Sequence, residues 1–97
     1  MRKSPREAYR DLKPKYPNAI LAFGIGEMLV FVHSDAHEVH NLLQLSMDRD
    51  EGYDRAVAHK ALYFQLKERL RNCGKELKLV ARNRSTSGKV TFTVEDI

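Results

Sequence analysis

The stretch from Asn18 to His33, NAILAFGIGEMLVFVH, constrains this chain more than any other. Two runs rich in apolar and branched side chains, Asn18 to Phe23 and Glu27 to His33, flank Gly24-Ile25-Gly26. Those glycines supply the positive-φ positions that a tight hairpin requires. The second run is apolar from Met28 to Val32. An alternating strand buries one face, whereas a continuous apolar run is buried on both, so this is a central strand with helices packed on each side.

Signals around the hairpin extend the pattern. Ser4-Pro5-Arg6-Glu7 opens a helix: Ser4 caps free amides, Pro5 suits the first helical position, and Glu7 completes a capping box. The helix runs from about Pro5 to Lys13, with Ala8, Tyr9 and Leu12 on one stripe and Arg6, Arg10 and Lys13 on a basic outer one, until Pro14 and Pro17 end it. Ser34-Asp35 begins a second helix, Ser34 as cap and Asp35 at the positive end of the macrodipole, with Ala36, Val39, Leu42, Leu43 and Ser46 facing the core. The acidic segment Met47 to Asp54 reads as a loop, with room for a short edge strand at its start. Arg55 to Asn72 is the longest helical pattern, its apolar side marked by Ala58, Ala61, Leu62, Leu66 and Leu70 and its end by Cys73-Gly74. Lys75 to Arg82 and Lys89 to Glu95 alternate apolar and polar residues as two strands, joined through Arg84 to Gly88. The expectation is an α+β domain of order α-β-β-α-α-β-β, a mixed sheet packed with three helices.

A chain of 97 residues has the size of one domain, 1 to 97, burying roughly 60 to 70% of its unfolded surface. An active site between domains is then excluded within one chain. One cysteine, Cys73, makes no internal disulfide, and no signal-peptide pattern opens the sequence, so a cytoplasmic location is expected. The longest apolar run is far short of the ~20 residues of a membrane-spanning helix. Net charge is +4, unevenly spread: residues 1 to 15 carry six basic and two acidic side chains, residues 16 to 54 one and seven, and residues 55 to 97 ten and four. One basic and one acidic face follow if the first helix and the C-terminal half lie together. The basic face suits phosphate; Lys and Arg that merely solvate helix surfaces give the same composition.

Read together, Tyr9 to Ala36, YRDLKPKYPNAILAFGIGEMLVFVHSDA, resembles the mismatch-recognition domain at the N-terminus of MutS DNA-repair proteins. Ala58-His59, Leu66 and the turn Asn72-Cys73-Gly74 follow in the family's order, so the similarity extends from about Tyr9 to Val94. The resemblance implies that fold, standing alone or taken from a longer chain, without the family's levers, clamp and nucleotide-binding domain. Similar copies occur in helicase-methylase proteins of bacterial mobile elements. In the family, Gly-Asp-Phe-Tyr-Glu follows the turn; its aromatic wedges beside a mispaired base and its Glu hydrogen-bonds that base. Here Gly26-Glu27-Met28-Leu29-Val30 stands in its place, so the Phe-x-Glu motif is degenerate. Met28 keeps an apolar wedge without a stacking face, and Val30 accepts no hydrogen bond. The competing reading takes both simply as buried strand residues.

Other motifs carry less. His33, His37 and His40 fall at i, i+4 and i+7, a zinc-ligand set if all lie on one helix, or structural and surface histidines if Ser34 is the cap and His33 still belongs to the strand. Ser85-Thr86-Ser87-Gly88-Lys89 fails as a Walker A loop because Asn83 and Val90 occupy its defining positions. Cys73 sits at a helix end, where no positive dipole activates a thiol. Asp48, Asp50, Glu51 and Asp54 lack the bidentate Glu of a calcium loop and read as solvated. The sequence therefore leads to a non-enzymatic module without cofactor, binding double- or single-stranded DNA weakly through Arg6, Arg10, Lys13, Arg82, Arg84 and Lys89, with Met28 probing an open duplex, or assisting a larger DNA-processing protein in repair or in a mobile element. The alternative is a protein-interaction module that has kept the fold and lost DNA recognition.

Overall fold

The computed structural model describes residues 4–50, 52–84, 87–88 and 90–95. Its first helix, α1 (Pro5–Leu12), begins as expected: the Glu7 amide donates to Ser4 Oγ at 3.3 Å. The Glu7 carboxylate accepts a hydrogen bond from the Ser4 hydroxyl at 3.3 Å. One 3-10 turn, Lys13–Lys15, leads into β1 (Ala19–Ile25), which pairs antiparallel with β2 (Met28–Val32) across the turn at Gly26-Glu27. Gly26 alone supplies the positive φ there, at 59°; Gly24 lies within β1.

Helix α2 (His33–Leu43) follows β2 without a break. Its cap is Val32, with no side-chain hydrogen bond, and His33 takes φ 53°. Ser34, expected as the cap, instead bonds the Tyr9 hydroxyl at 2.6 Å.

After α2 the element order departs from the expected one. Met47 to Asp54 forms most of a hairpin, β3 (Met47–Asp50) and β4 (Tyr53–His59), and Arg55 to His59 are strand rather than the start of a helix. The order is therefore α-β-β-α-β-β-α-β-β. Alanine favours helix locally, but β2 has a second row of backbone groups that needs partners, and β4 satisfies them in antiparallel register from Met28↔His59 to Val32↔Arg55. Ala56 and Ala58 are buried beneath the helices, where small side chains let a helix approach the sheet closely. After a 3-10 turn (Lys60–Leu62), α3 (Tyr63–Asn72) buries Tyr63, Leu66 and Leu70, while Ala61 and Leu62, expected on the apolar side, are exposed. Gly74 ends this helix at φ 79°, and the Lys75 amide closes back on Leu70 O at 2.9 Å.

Strand β5 (Glu76–Arg84) runs parallel to β1, and β6 (Val90–Glu95) returns antiparallel along it. The six strands form one mixed sheet in the order β3-β4-β2-β1-β5-β6. The hairpin β1-β2 occupies its centre, and Leu21, Ala22, Phe23, Leu29, Phe31 and Val32 are fully buried, but the second run is not buried throughout: Val30 is half-buried and Met28, at its start, is exposed. Two cores result. Ile20, Leu29, Phe31, Val39, Leu66 and Leu70 pack where α2 and α3 cover one face; Ala8, Tyr9, Leu21, Phe23, Val32 and Val80 pack where α1 covers part of the other. The described residues thus make one α+β domain with three α-helices, none long and apolar enough to cross a membrane.

Candidate nucleic-acid interface

Alternation along the strands determines which residues share the α1 side of the sheet. Val80 and Phe23 belong to the core beneath α1, so Arg82 and Arg84, two and four residues beyond Val80, lie on that side opposite Phe92 and Val90. Ile25 and Met28 pair across the hairpin, and Val30 pairs with Phe23, on the same side. Helix α1 covers only part of this face. Toward the β1-β2 turn and the β5-β6 pair there remains a strip of half-buried Ile25, Val30, Phe92 and Val94, with Met28 at 37% exposure.

The two residues singled out after the turn, Met28 and Val30, differ in setting. Val30 is half-buried against the core beside α1, whereas Met28 stands out beside the turn. Arg82 and Arg84 are exposed, without an ion-pair partner among the described residues. Arg10 is exposed on α1, and the Arg6 guanidinium lies 5.4 Å from the centre of the Tyr53 ring, a cation-π contact that partly fixes its direction. Lys89 lies outside the described residues.

Lys13 does not belong with this set. Its ammonium turns inward to Asp35, 2.8 Å away, and donates also to the Ala19 carbonyl. Asp35 is 1% exposed, and its second oxygen accepts the Leu21 amide at 3.0 Å. Burial pushes the Asp35 carboxyl above the usual carboxylate range, while the Lys13 and Leu21 bonds oppose that shift. The pair ties α1 to β1 and α2, so Lys13, expected to face outward, is a structural cation.

The three histidines take separate partners. His33 lies between Tyr9 and Tyr53, with ring centroids 5.5 Å from each. His37 pairs with Asp54 at 2.5 Å, and His40 Nδ1 is 2.8 Å from Leu45 O. Among the described residues no group of three or more His, Cys, Asp or Glu side chains is placed to hold a metal. Their sequence spacing misleads because His33 has a left-handed backbone, off the helical register that would align it with His37 and His40. Burial also raises the Tyr9 hydroxyl above its ordinary pKa, which keeps it a neutral partner for Ser34.

The acidic segment is not an empty loop. Both oxygens of Asp48 are held by Arg55, at 3.1 and 2.9 Å, and Asp54 meets His37 and Arg49. Cys73 is exposed just beyond α3. In the Walker-like stretch, Ser85, Thr86 and Lys89 lie outside the described residues.

Phe64, with 66% exposure, has no place in the sequence reading. A signal was present: Tyr63 and Phe64 are adjacent on one helix, and neighbours 100° apart do not both point into one narrow core stripe. No protein-family model matches the chain, and no curated protein sequence matches it.

Proposed function

We propose that this domain is a non-enzymatic module of the MutS mismatch-recognition fold that binds nucleic acid weakly through phosphates, alone or as an accessory to a larger DNA-processing protein of repair or of a mobile element. The observation that carries the reading is the shared position of Met28, Arg82 and Arg84 on the sheet face that α1 leaves partly open, with Arg6 and Arg10 on the helix covering the rest. The arginines supply a sequence-independent attraction, and Met28 is the side chain that enters a partly open base step. Val30 offers no hydrogen bond to a base, so discrimination among mismatches is weak. The setting is cytoplasmic, where Cys73 stays reduced.

Fluorescence anisotropy with matched, mismatched and single-stranded DNA across a salt series tests the proposal. Neutralising Arg10, Arg82 and Arg84 to Gln is expected to lower the salt slope for duplex by roughly 0.9 per lost phosphate contact. Met28→Ala is expected to remove any preference for mismatched over matched duplex. Absence of binding at low salt refutes the reading.

A second reading has its own observation: the apolar strip of Ile25, Val30, Phe92 and Val94 is also the composition of a protein-protein contact. Under it a protein partner covers the same face, and association with that partner persists after nuclease treatment.

A further inference from the structure

The other face of the sheet carries a second surface. Along the seam between α3 and β5 three cavities follow one another. The first, 230 Å³, lies at the β1-β2 turn between Gly24, Lys60 and Arg82. The next, 240 Å³, is floored by Leu29 and Leu79 and walled by Tyr63 and Phe64. The last, 350 Å³, lies between Lys67, Arg71, Lys75 and Leu77. Lys60 and Leu79 line both of the first two, so those cavities adjoin.

Helical spacing explains the arrangement. Phe64, Lys67 and Arg71 are separated by three and four residues on α3, which sets them in one row beside β5, and Lys60, in the 3-10 turn before the helix, lines the same cavity as Phe64 and extends that row. At about 1.5 Å per residue the helical part of the row, Phe64 to Arg71, is about 10 Å long. The centre of the whole row is an aromatic ring with 66% exposure standing over an apolar floor, and its two ends are cationic. Lys60 and Arg71 have no ion-pair partner among the described residues, and the acidic lining residue, Glu76, is held by Lys78 at 2.8 Å. Lys75 makes a longer contact, 3.6 Å, with Glu38.

We propose that this seam is a distinct binding site for single-stranded nucleic acid. A base stacks on Phe64 over Leu79, and the flanking phosphates meet Lys60 on one side and Lys67 and Arg71 on the other. Spaced cations that track a backbone, with an aromatic face between them, are the recurring solution for unpaired strands, since every base has a stacking face. The charge pattern fits a polyanion, and a trough walled by a helix admits a single strand more readily than a duplex. The site does not depend on the open face beside α1, which lies on the other side of the sheet.

The test is anisotropy titration of the full chain with a fluorescent oligothymidylate, a matched duplex and a fluorescent oligoglutamate peptide. Phe64→Ala, at an exposed position, is expected to weaken oligothymidylate binding by roughly five-fold or more while leaving the duplex unaffected. Lys60→Gln with Arg71→Gln is expected to weaken it further and lower the salt slope by roughly 0.7 per phosphate contact. Thermal denaturation verifies that the variants fold. Arg82 borders both faces and is left intact. Neutralising Arg6, Arg10 and Arg84 separates the two sites: oligothymidylate binding that survives this change and falls with Phe64→Ala supports the seam. Binding lost with the three arginines and unmoved by Phe64→Ala overturns the seam and leaves the α1-side reading standing. Oligoglutamate binding as tightly as the oligonucleotide, or no oligothymidylate binding at low salt, also overturns it.

Discussion

Replacing Lys13 by Met tests the inward-turned cation directly. Asp35 is 1% exposed, and besides the Leu21 amide its partner is the Lys13 ammonium. Removing one member of such a pair strands a buried charge, at a cost of about 3–5 kcal/mol. That is a large share of the roughly 5–15 kcal/mol by which a domain is stable, and corresponds to a fall in Tm of more than about 10 °C. The loss depends on pH with a definite sign. Burial raises the Asp35 pKa in the folded state, so the folded protein binds that proton more tightly than the unfolded chain. Between the ordinary carboxylate pKa and the raised folded value, the group's contribution to stability therefore falls as pH rises. The Lys13 bond is the main force holding the shift down, so its removal extends this window upward. Urea denaturation of wild type and Lys13→Met across pH should show the largest difference where Asp35 is ionised in the folded wild type, shrinking as pH falls through its raised folded pKa and Asp35 becomes protonated in both folded proteins. Asp35→Asn in the Lys13→Met background should recover part of the loss, because a neutral amide costs less to bury unpaired than a carboxylate. A loss below about 1 kcal/mol, the value of an exposed ion pair, or one that does not change with pH, refutes the reasoning.

Gln44 closes α2 with φ 58°, a left-handed conformation that costs an L side chain energy and suits Gly, so Gln44→Gly should stabilise the fold by about 0.5–1 kcal/mol in thermal denaturation; an unchanged or lower Tm counts against it. The Arg55 guanidinium holds the exposed Asp48 carboxyl below its usual range, so the stability it adds is present above the ordinary carboxylate pKa and is lost as pH falls through the lowered value. Arg55→Gln should return the Asp48 titration, followed by NMR, to the usual range, and an unmoved titration would show that the pair does not form.

Local chemistry made much of this fold legible. Ser4 and Pro5 start α1, Gly74 stops α3, and Val90, Phe92 and Val94 alternate along β6, because caps, left-handed turns and two-residue periodicity act within a few residues of chain. The candidate interface was legible in part. Met28, Arg82 and Arg84 are far apart in sequence, and their common side follows once β1 is known to pair with both β2 and β5.

By itself, then, the sequence determined the central hairpin: an unbroken apolar run has no low-energy place except between two covered faces. It determined the starts and stops of helices wherever a cap or a glycine dictated them. Tertiary structure alone decided the state of Arg55 to His59, whose alanines favour helix until the free edge of β2 offers hydrogen bonds that a helix there would leave unmade. It decided as well that Lys13 points inward to a carboxylate buried 22 residues away, that three histidines at helical spacing take separate partners, and that Phe64 stands outside the core. Each of those outcomes depends on which distant residue lies opposite, a quantity that pattern along the chain does not carry.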